Sequence, residues 1–186
     1  MKASITLKRF SLAKRLVFTA AFAALCLIST LLIAIPLPNG YFNTGDVFVL
    51  LSGWCLGPLY GGAAAAIGSA LADVCGGFAL YAPVTFIVKG GDAVLAWLVC
   101  SLMKKAIKKP ALDFLSRTFA AIIGEAFMVL GYFTFESALY GFAGGALALL
   151  GNTMQGVCCG AIAVLVFSML YHVPTVKNLF PALIDE

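Results

Sequence analysis

Lys89 and Asp92 stand one helical turn apart inside an apolar run, and Glu125 stands midway along another. An ionised side chain taken out of water is costly unless it is paired or hydrogen-bonded, so each of these needs a partner or a polar cavity. Helical spacing gathers further polar groups beside them. Thr85, Lys89, Asp92 and Ala96 share one face; Glu125, Met128, Val129, Tyr132 and Glu136 share a second; Asn152, Gln155 and Cys159 share a third. With loop residues added, these faces predict a pocket. It offers Lys89 as donor, Glu125 as acceptor, Tyr81 and Tyr132 as aromatic walls, and Asn43, Asn152 and Gln155 as amides. Such a set suits a flat, neutral, hydroxylated heteroaromatic ring. It suits a phosphorylated ligand less well, because Lys89 is the only cation at that depth and Asp92 and Glu125 offset it. The chemistry is that of binding. No nucleophile–base–orienter set is visible, so no catalytic residue and no cofactor are expected. The single histidine, His172, excludes an H-E-x-x-H site, so no metal is expected.

Each residue also has a plainer structural role open to it. Lys89 would serve as the partner of Asp92 or Glu125 alone. Asp46, at the start of an apolar run, is either a helix N-cap or a ligand contact. Asn152 and Gln155 would hydrogen-bond between helices without touching ligand. Asp73 and Glu136, each read as closing a helix, would be solvated, and His172 would lie at a membrane interface.

The elements that must position these groups are long apolar helices. The 186-residue chain is 62% apolar and 11% charged, against about 45–50% and about 25% for soluble domains. A globule of this length leaves roughly a third of its surface wet and cannot hide so much apolar side chain, whereas a lipid-facing exterior removes the difficulty. A soluble enzyme, a disordered tail and a disulfide-framed secreted module are excluded. No G-x-x-x-x-G-K-[ST] occurs, so no nucleotide-binding domain is expected.

Residues 16–35 span about 30 Å as a helix, too long for the h-region of a signal peptide, and form a retained first span. Pro36 and Pro38 end it, and 36–45 are read as turn chemistry with Tyr41 and Phe42 at interface depth. Spans follow at 84–103, 115–135 and 147–171. Residues 46–75, interrupted at Gly57-Pro58, are long for one span and short for two. Charge decides. Lys2, Lys8, Arg9, Lys14 and Arg15 precede the first run, and Lys104, Lys105, Lys108, Lys109 and Arg117 are read into one connector. Basic residues collect in cytoplasmic loops, so both clusters share a side only if 46–75 makes two short helices. This placement accounts for the net charge of +4 without nucleic acid.

The prediction is therefore all-α: an integral membrane bundle of six transmembrane helices with both termini cytoplasmic. It is a single transmembrane domain over 1–186, with a basic cytoplasmic N-terminus at 1–15, the bundle at 16–171 and a cytoplasmic tail at 172–186. Outer loops fall at 36–45, 76–83 and 136–146, and the pocket opens toward them.

Small residues recur at i, i+4 in Gly61, Ala65 and Ser69 and in Gly62, Ala66 and Ala70, which reads as close helix packing inside the bundle. Ala20 and Ala24 repeat the spacing on the first helix, where an external partner is more credible. The six cysteines (Cys26, Cys55, Cys75, Cys100, Cys158 and Cys159) form no C-x-x-C and read as buried, reduced and inert.

Residues 40–46 (GYFNTGD), 68–73 (GSALAD), 81–90 (YAPVTFIVKG), 124–136 (GEAFMVLGYFTFE) and 152–156 (NTMQG) together resemble the substrate-binding S components of energy-coupling-factor (ECF) transporters. The resemblance covers most of residues 16–170. It implies a six-helix protein that captures a vitamin or vitamin precursor with high affinity on the outside. It implies docking on a transmembrane T subunit that is attached to two ATPase subunits. The family's Ala-x-x-x-Ala docking motif maps to Ala20 and Ala24, with Ala21 a competing register. The most similar subgroup includes transporters for hydroxymethylpyrimidine, pyridoxine and riboflavin, which the residues do not separate; the pocket set favours the first two. The expected location is the cell membrane, as a multi-pass protein of a bacterial cytoplasmic membrane. The alternative is a self-sufficient ion-coupled carrier with Glu125 as coupling carboxylate, although no convincing repeat relates 16–75 to 84–170.

Overall fold

The computed structural model describes residues 11–37, 40–107 and 113–179. Lys2, Lys8, Arg9, Pro38, Lys108, Lys109 and the tail end at 180–186 lie outside the described residues. The elements in order are α1 (Leu12–Leu32), β1 (Ala34–Leu37), β2 (Gly40–Asn43), α2 (Gly45–Cys75), α3 (Ala82–Ile107), α4 (Asp113–Tyr171) and α5 (Pro174–Leu179). Helices α1 to α4 are each long and apolar enough to cross a membrane.

Helix α1 starts where Ser11 Oγ accepts from Lys14 N at 3.4 Å. It ends at Leu32, short of the expected residue 35, because the next residues form a strand. Ala34, Ile35, Pro36 and Leu37 pair antiparallel with Asn43, Phe42, Tyr41 and Gly40. The segment 36–45 is therefore mostly β-hairpin rather than turn, and the fold is the expected all-α membrane helical one with a single small two-stranded sheet added. Pro36 ends a helix for want of an N–H, yet its fixed φ suits an edge strand that needs no donor on its open side.

Helices α2 and α4 each contain one break. Gly57 has φ 79° and ψ −177°, and Gly141 has φ 77° and ψ 170°. Only glycine enters that region without strain. Pro58 follows Gly57 with a φ already suited to the first position of a new helix. The limbs 45–56 and 58–75 are then tied by Ser52 Oγ, which donates to Gly61 O at 3.0 Å. Residues 46–75 thus make two helices, as the charge argument required.

The expected loop at 136–146 is instead helical on both sides of Gly141. Its glycines mark close approach, since a Cβ on Gly145 would meet Ser137 Oγ, and Phe133 O at 2.9 Å. Farther down the same seam, a Cβ on Gly156 would lie 3.0 Å from Glu125 Cβ, and one on Gly160 would lie 3.6 Å from Ala121 Cβ. The limbs 113–140 and 142–171 therefore run antiparallel against each other.

Helix α2 is the most enclosed of the long helices and α1 the least. Val47, Leu50, Leu51, Trp54 and Leu56 pack on small residues of α3 and α4, among them Ala96, Ala120 and Ala163. Trp54 meets Phe167 edge-on at 5.6 Å, and its Nε1 donates to Ala96 O at 3.3 Å. Gly61, Ala65, Ser69, Gly62 and Ala66 are buried, which is the internal packing their spacing implied. Outward-facing Leu16, Val17, Ile87, Leu130 and Val157 give the exterior its apolar character.

At the end away from the hairpin, Lys104 and Lys105 occupy the last turn of α3, where cations complement the helix dipole. Arg117, expected in the connector, is instead buried in α4. It pairs with Asp113 and lies 3.9 Å over the Phe167 ring. The connector is shorter than the charge pattern suggested because both helices extend into it. Part of the expected tail is helix α5. None of the six cysteines forms a disulfide, but Cys75 and Cys158 are exposed rather than buried.

Candidate functional site

The site begins where β2 runs into α2. Thr44 is the N-cap of α2 and makes no side-chain cap bond, so Asp46, one residue inside the helix, is not the cap. Asn43 does local work instead. Its Oδ1 accepts from Gly45 N at 2.9 Å and from Thr30 Oγ1 at 3.4 Å, tying the hairpin to α1. Gln155 reaches across from α4. Its Oε1 accepts from Asn43 N at 2.8 Å and Asn43 Nδ2 at 3.2 Å, and its Nε2 donates to Asp46 Oδ2 at 2.6 Å. Asp46 Oδ1 accepts the Lys89 ammonium from α3. Cys159 Sγ donates to Asn43 O at 3.4 Å. One buried network therefore joins α1, β2, α2, α3 and α4, and each polar group in it rigidifies the next.

This network floors a cavity of about 280 Å³. Thr85 and Tyr132 form one wall, their hydroxyls 2.9 Å apart, with Lys89 Nζ 5.3 Å from the Tyr132 ring centroid. Tyr41, Phe78 and Tyr81 form the mouth, with ring centroids 4.9 Å apart for the first pair and 6.4 Å for the second. Tyr41 OH donates to Asp73 Oδ1 at 2.8 Å. Burial and the Asp73 carboxylate raise the Tyr41 hydroxyl above its ordinary range, so it remains a donor. Leu147, Leu150 and Met154 supply an apolar side, and Glu136 and Asn152 complete the lining.

Of the residues singled out from the sequence, Asn43, Tyr81, Thr85, Lys89, Tyr132, Asn152 and Gln155 border this cavity. Asp46 stands directly behind it, 0% exposed, holding Lys89 and Gln155. Lys89 therefore pairs with Asp46 rather than with Asp92 or Glu125. Glu125 is placed elsewhere, beside a separate apolar groove of about 810 Å³ between the limbs of α4. Its two carboxylate oxygens, and those of buried Asp92, have no hydrogen-bond partner. Asp73 and Glu136, expected to be solvated, are 6% and 3% exposed and line the cavity. Glu136 is inside because its helix continues to residue 140 rather than ending there. Leu147, Leu150 and Met154 were not singled out from the sequence. Their i, i+3, i+7 spacing puts them on a face of their own, turned away from the one that carries Asn152 and Gln155, so the polar stripe gave no signal for them. Among the described residues no cluster of His, Cys, Asp and Glu suits a metal ion.

A polar pocket at one end of an apolar helical bundle is the geometry of a membrane binding protein. The family model of the ECF-type riboflavin transporter S component matches residues 11–172. The chain belongs to this family. It is the substrate-binding S component of an ECF transporter, a multi-pass membrane protein and not an enzyme. A Pyrococcus woesei protein, described as an uncharacterized protein in gap 3'region, is similar at 35% identity over 138 residues, or 73% of this chain and 86% of that one. The structure described as "Structure and mechanism of the S component of a bacterial ECF transporter" has the same fold. Its TM-score is 0.63 at 19% identity, covering 87% of this S component and 97% of that chain. Membership decides against the self-sufficient carrier that Glu125 had suggested. The Ala20 and Ala24 side chains of the S component lie on the exposed side of α1.

Proposed function

We propose that this S component captures a flat heteroaromatic B vitamin or vitamin precursor, of the hydroxymethylpyrimidine, pyridoxine or riboflavin class, and passes it to a transmembrane T subunit carried by two ATPase subunits. The observation that carries the proposal is the cavity of about 280 Å³, where aromatic rings face amides across a floor built on Lys89 and Asp46. Rings supply stacking area, while the amides match ring nitrogens and exocyclic hydroxyls. Asn43, Tyr81, Thr85, Lys89, Tyr132, Asn152 and Gln155 touch the ligand in this proposal, and Asp46 holds two of them in place.

Six spans follow if the limbs of α2 and of α4 each cross the bilayer. The whole chain 1–186 is then one transmembrane domain. Lys14, Arg15, Lys104 and Lys105 lie toward the end opposite the hairpin, which by the positive-inside rule makes that end, and both termini, cytoplasmic. The cavity then opens outward. A thermal-shift screen of the purified protein over B vitamins and their precursors tests the proposal, because a ligand at 100 times its Kd adds about 2.7 kcal/mol of stability. Stabilisation by a heteroaromatic vitamin or precursor is expected. Stabilisation only by a phosphorylated or peptide ligand would overturn it.

A further inference from the structure

We propose that the floor of the cavity reads its ligand through donors alone. Lys89, Gln155 and Asn43 offer N–H groups and no acceptor, so the ring edge that meets them carries carbonyl oxygens or unprotonated ring nitrogens and no amine. Resting on the cavity being the vitamin site, this adds the hydrogen-bonding polarity of the edge that the ligand turns to the floor.

Each amide of the floor has one orientation, because its partners have fixed polarity. Gln155 Oε1 faces Asn43 N, a donor only, and Gln155 Nε2 faces Asp46 Oδ2, an oxygen of an ion-paired carboxylate. Asn43 Oδ1 faces Gly45 N, again a donor only. The acceptors are then full. Gln155 Oε1 receives both Asn43 N and Asn43 Nδ2. Asn43 Oδ1 receives both Gly45 N and Thr30 Oγ1. A carbonyl oxygen has two lone pairs, so neither oxygen has one left for a ligand. Asp46 holds Lys89 on one oxygen and Gln155 on the other, and at 0% exposed it is out of a ligand's reach.

The donors are not full. An ammonium carries three N–H groups and a side-chain amide nitrogen two. Lys89 and Gln155 each commit one to Asp46, and Asn43 Nδ2 commits one to Gln155. N–H groups therefore remain on all three residues, and all three line the cavity. Lys89 and Gln155 stand side by side because the two oxygens of one carboxylate hold them. A ring edge with two acceptors meets both at once. An edge bearing amines sets donor against donor and leaves both sides buried without a partner, which costs more than a merely absent bond gains. A site built this way discriminates strongly between two rings of the same size and shape. Asn152 has no side-chain hydrogen bond among the described residues, so it can present either end and does not set the polarity. The class implied is a flat ring with two carbonyl oxygens, or a carbonyl beside an unprotonated ring nitrogen, on one edge.

The test is isothermal titration of the full chain in detergent, near neutral pH, with two pairs of rings matched in skeleton. One pair is 5-hydroxymethyluracil against 2,4-diamino-5-hydroxymethylpyrimidine, and the other is lumazine against 2,4-diaminopteridine; the B vitamins and their precursors are titrated alongside. The oxo member of at least one pair is expected to bind at least about ten-fold tighter than the amino member, with neither pair reversed. A smaller preference in both pairs, or a reversal in either, overturns the inference and leaves the vitamin-site proposal standing. So does binding of a B vitamin or precursor with no binding of either oxo ring. If no vitamin, precursor or ring binds, the vitamin-site proposal falls and this inference with it. Lys89→Met is expected to reduce the preference to less than about three-fold, and a preference that survives unchanged overturns the role of Lys89 as a donor. The wild-type ratios decide even where Lys89→Met does not fold.

Discussion

Asp46 accepts from both Lys89 and Gln155 while wholly buried, so the Lys89 side chain has a structural partner as well as a place on the cavity wall. Its removal strands a carboxylate, and breaking a buried pair from one side costs about 3–5 kcal/mol. Lys89→Met is accordingly expected to destabilise the protein by that order. The double variant Asp46→Asn/Lys89→Met should recover much of the loss, since neither charge is then left alone. Denaturation in detergent of both single variants and the double variant measures the coupling; additive losses would show that the two side chains do not act as a pair. Lys89→Met is also expected to weaken ligand binding, read by titration of the same variants, partly by loosening the Asp46–Gln155–Asn43 floor.

At the scale of elements, two glycines divide two long helices into limbs. A Cβ on Gly141 would meet nothing within 4 Å, so a substitution there tests backbone strain without crowding. Gly141→Ala is expected to cost about 1–3 kcal/mol, read as a lowered midpoint of unfolding in detergent. Gly141→Asn should give no relief, because asparagine tolerates the left-handed helical region and ψ 170° lies outside it. A neutral outcome for both would mean that 141 is a flexible joint rather than a defined bend. The hairpin was the element least legible in advance. Its strands contain two prolines' worth of helix-stopping chemistry in and beside them, and pairing between Ile35 and Phe42 is a contact that neither segment announces by itself.

The whole molecule presents α1 as its least enclosed long helix, with Ala20 and Ala24 on the exposed side. Small side chains let helix backbones approach closely in lipid, and a tryptophan prevents it. Ala20→Trp and Ala24→Trp are expected to reduce transport in cells while ligand affinity in detergent stays near wild type. A parallel loss of affinity would make those alanines part of the internal packing instead. Purified alone in liposomes, the chain is expected to bind ligand without accumulating it. Concentrative uptake driven by a proton gradient, with no ATPase subunits present, would refute dependence on partners.

Composition, periodicity and the placement of basic residues by themselves determined that this is a helical membrane protein, that 46–75 holds two helices, and that Thr85 and Lys89, Tyr132 and Glu136, and Asn152 and Gln155 lie on polar stripes. These are one-dimensional properties: apolar content sets the solvent, and the 3.6-residue repeat sets which side chains share a face. Tertiary structure decided what the stripes meet. Lys89 turned to Asp46 on α2 rather than to Asp92 on its own helix, Glu125 fell beside the groove within α4, and Asp73 and Glu136 came inside. Spacing along a helix leaves its rotation and its neighbours undetermined. Those were set by close approach at small residues, such as Gly53 against the Ala93 backbone and Gly124 against Asp92, which brings groups distant in sequence to one cavity.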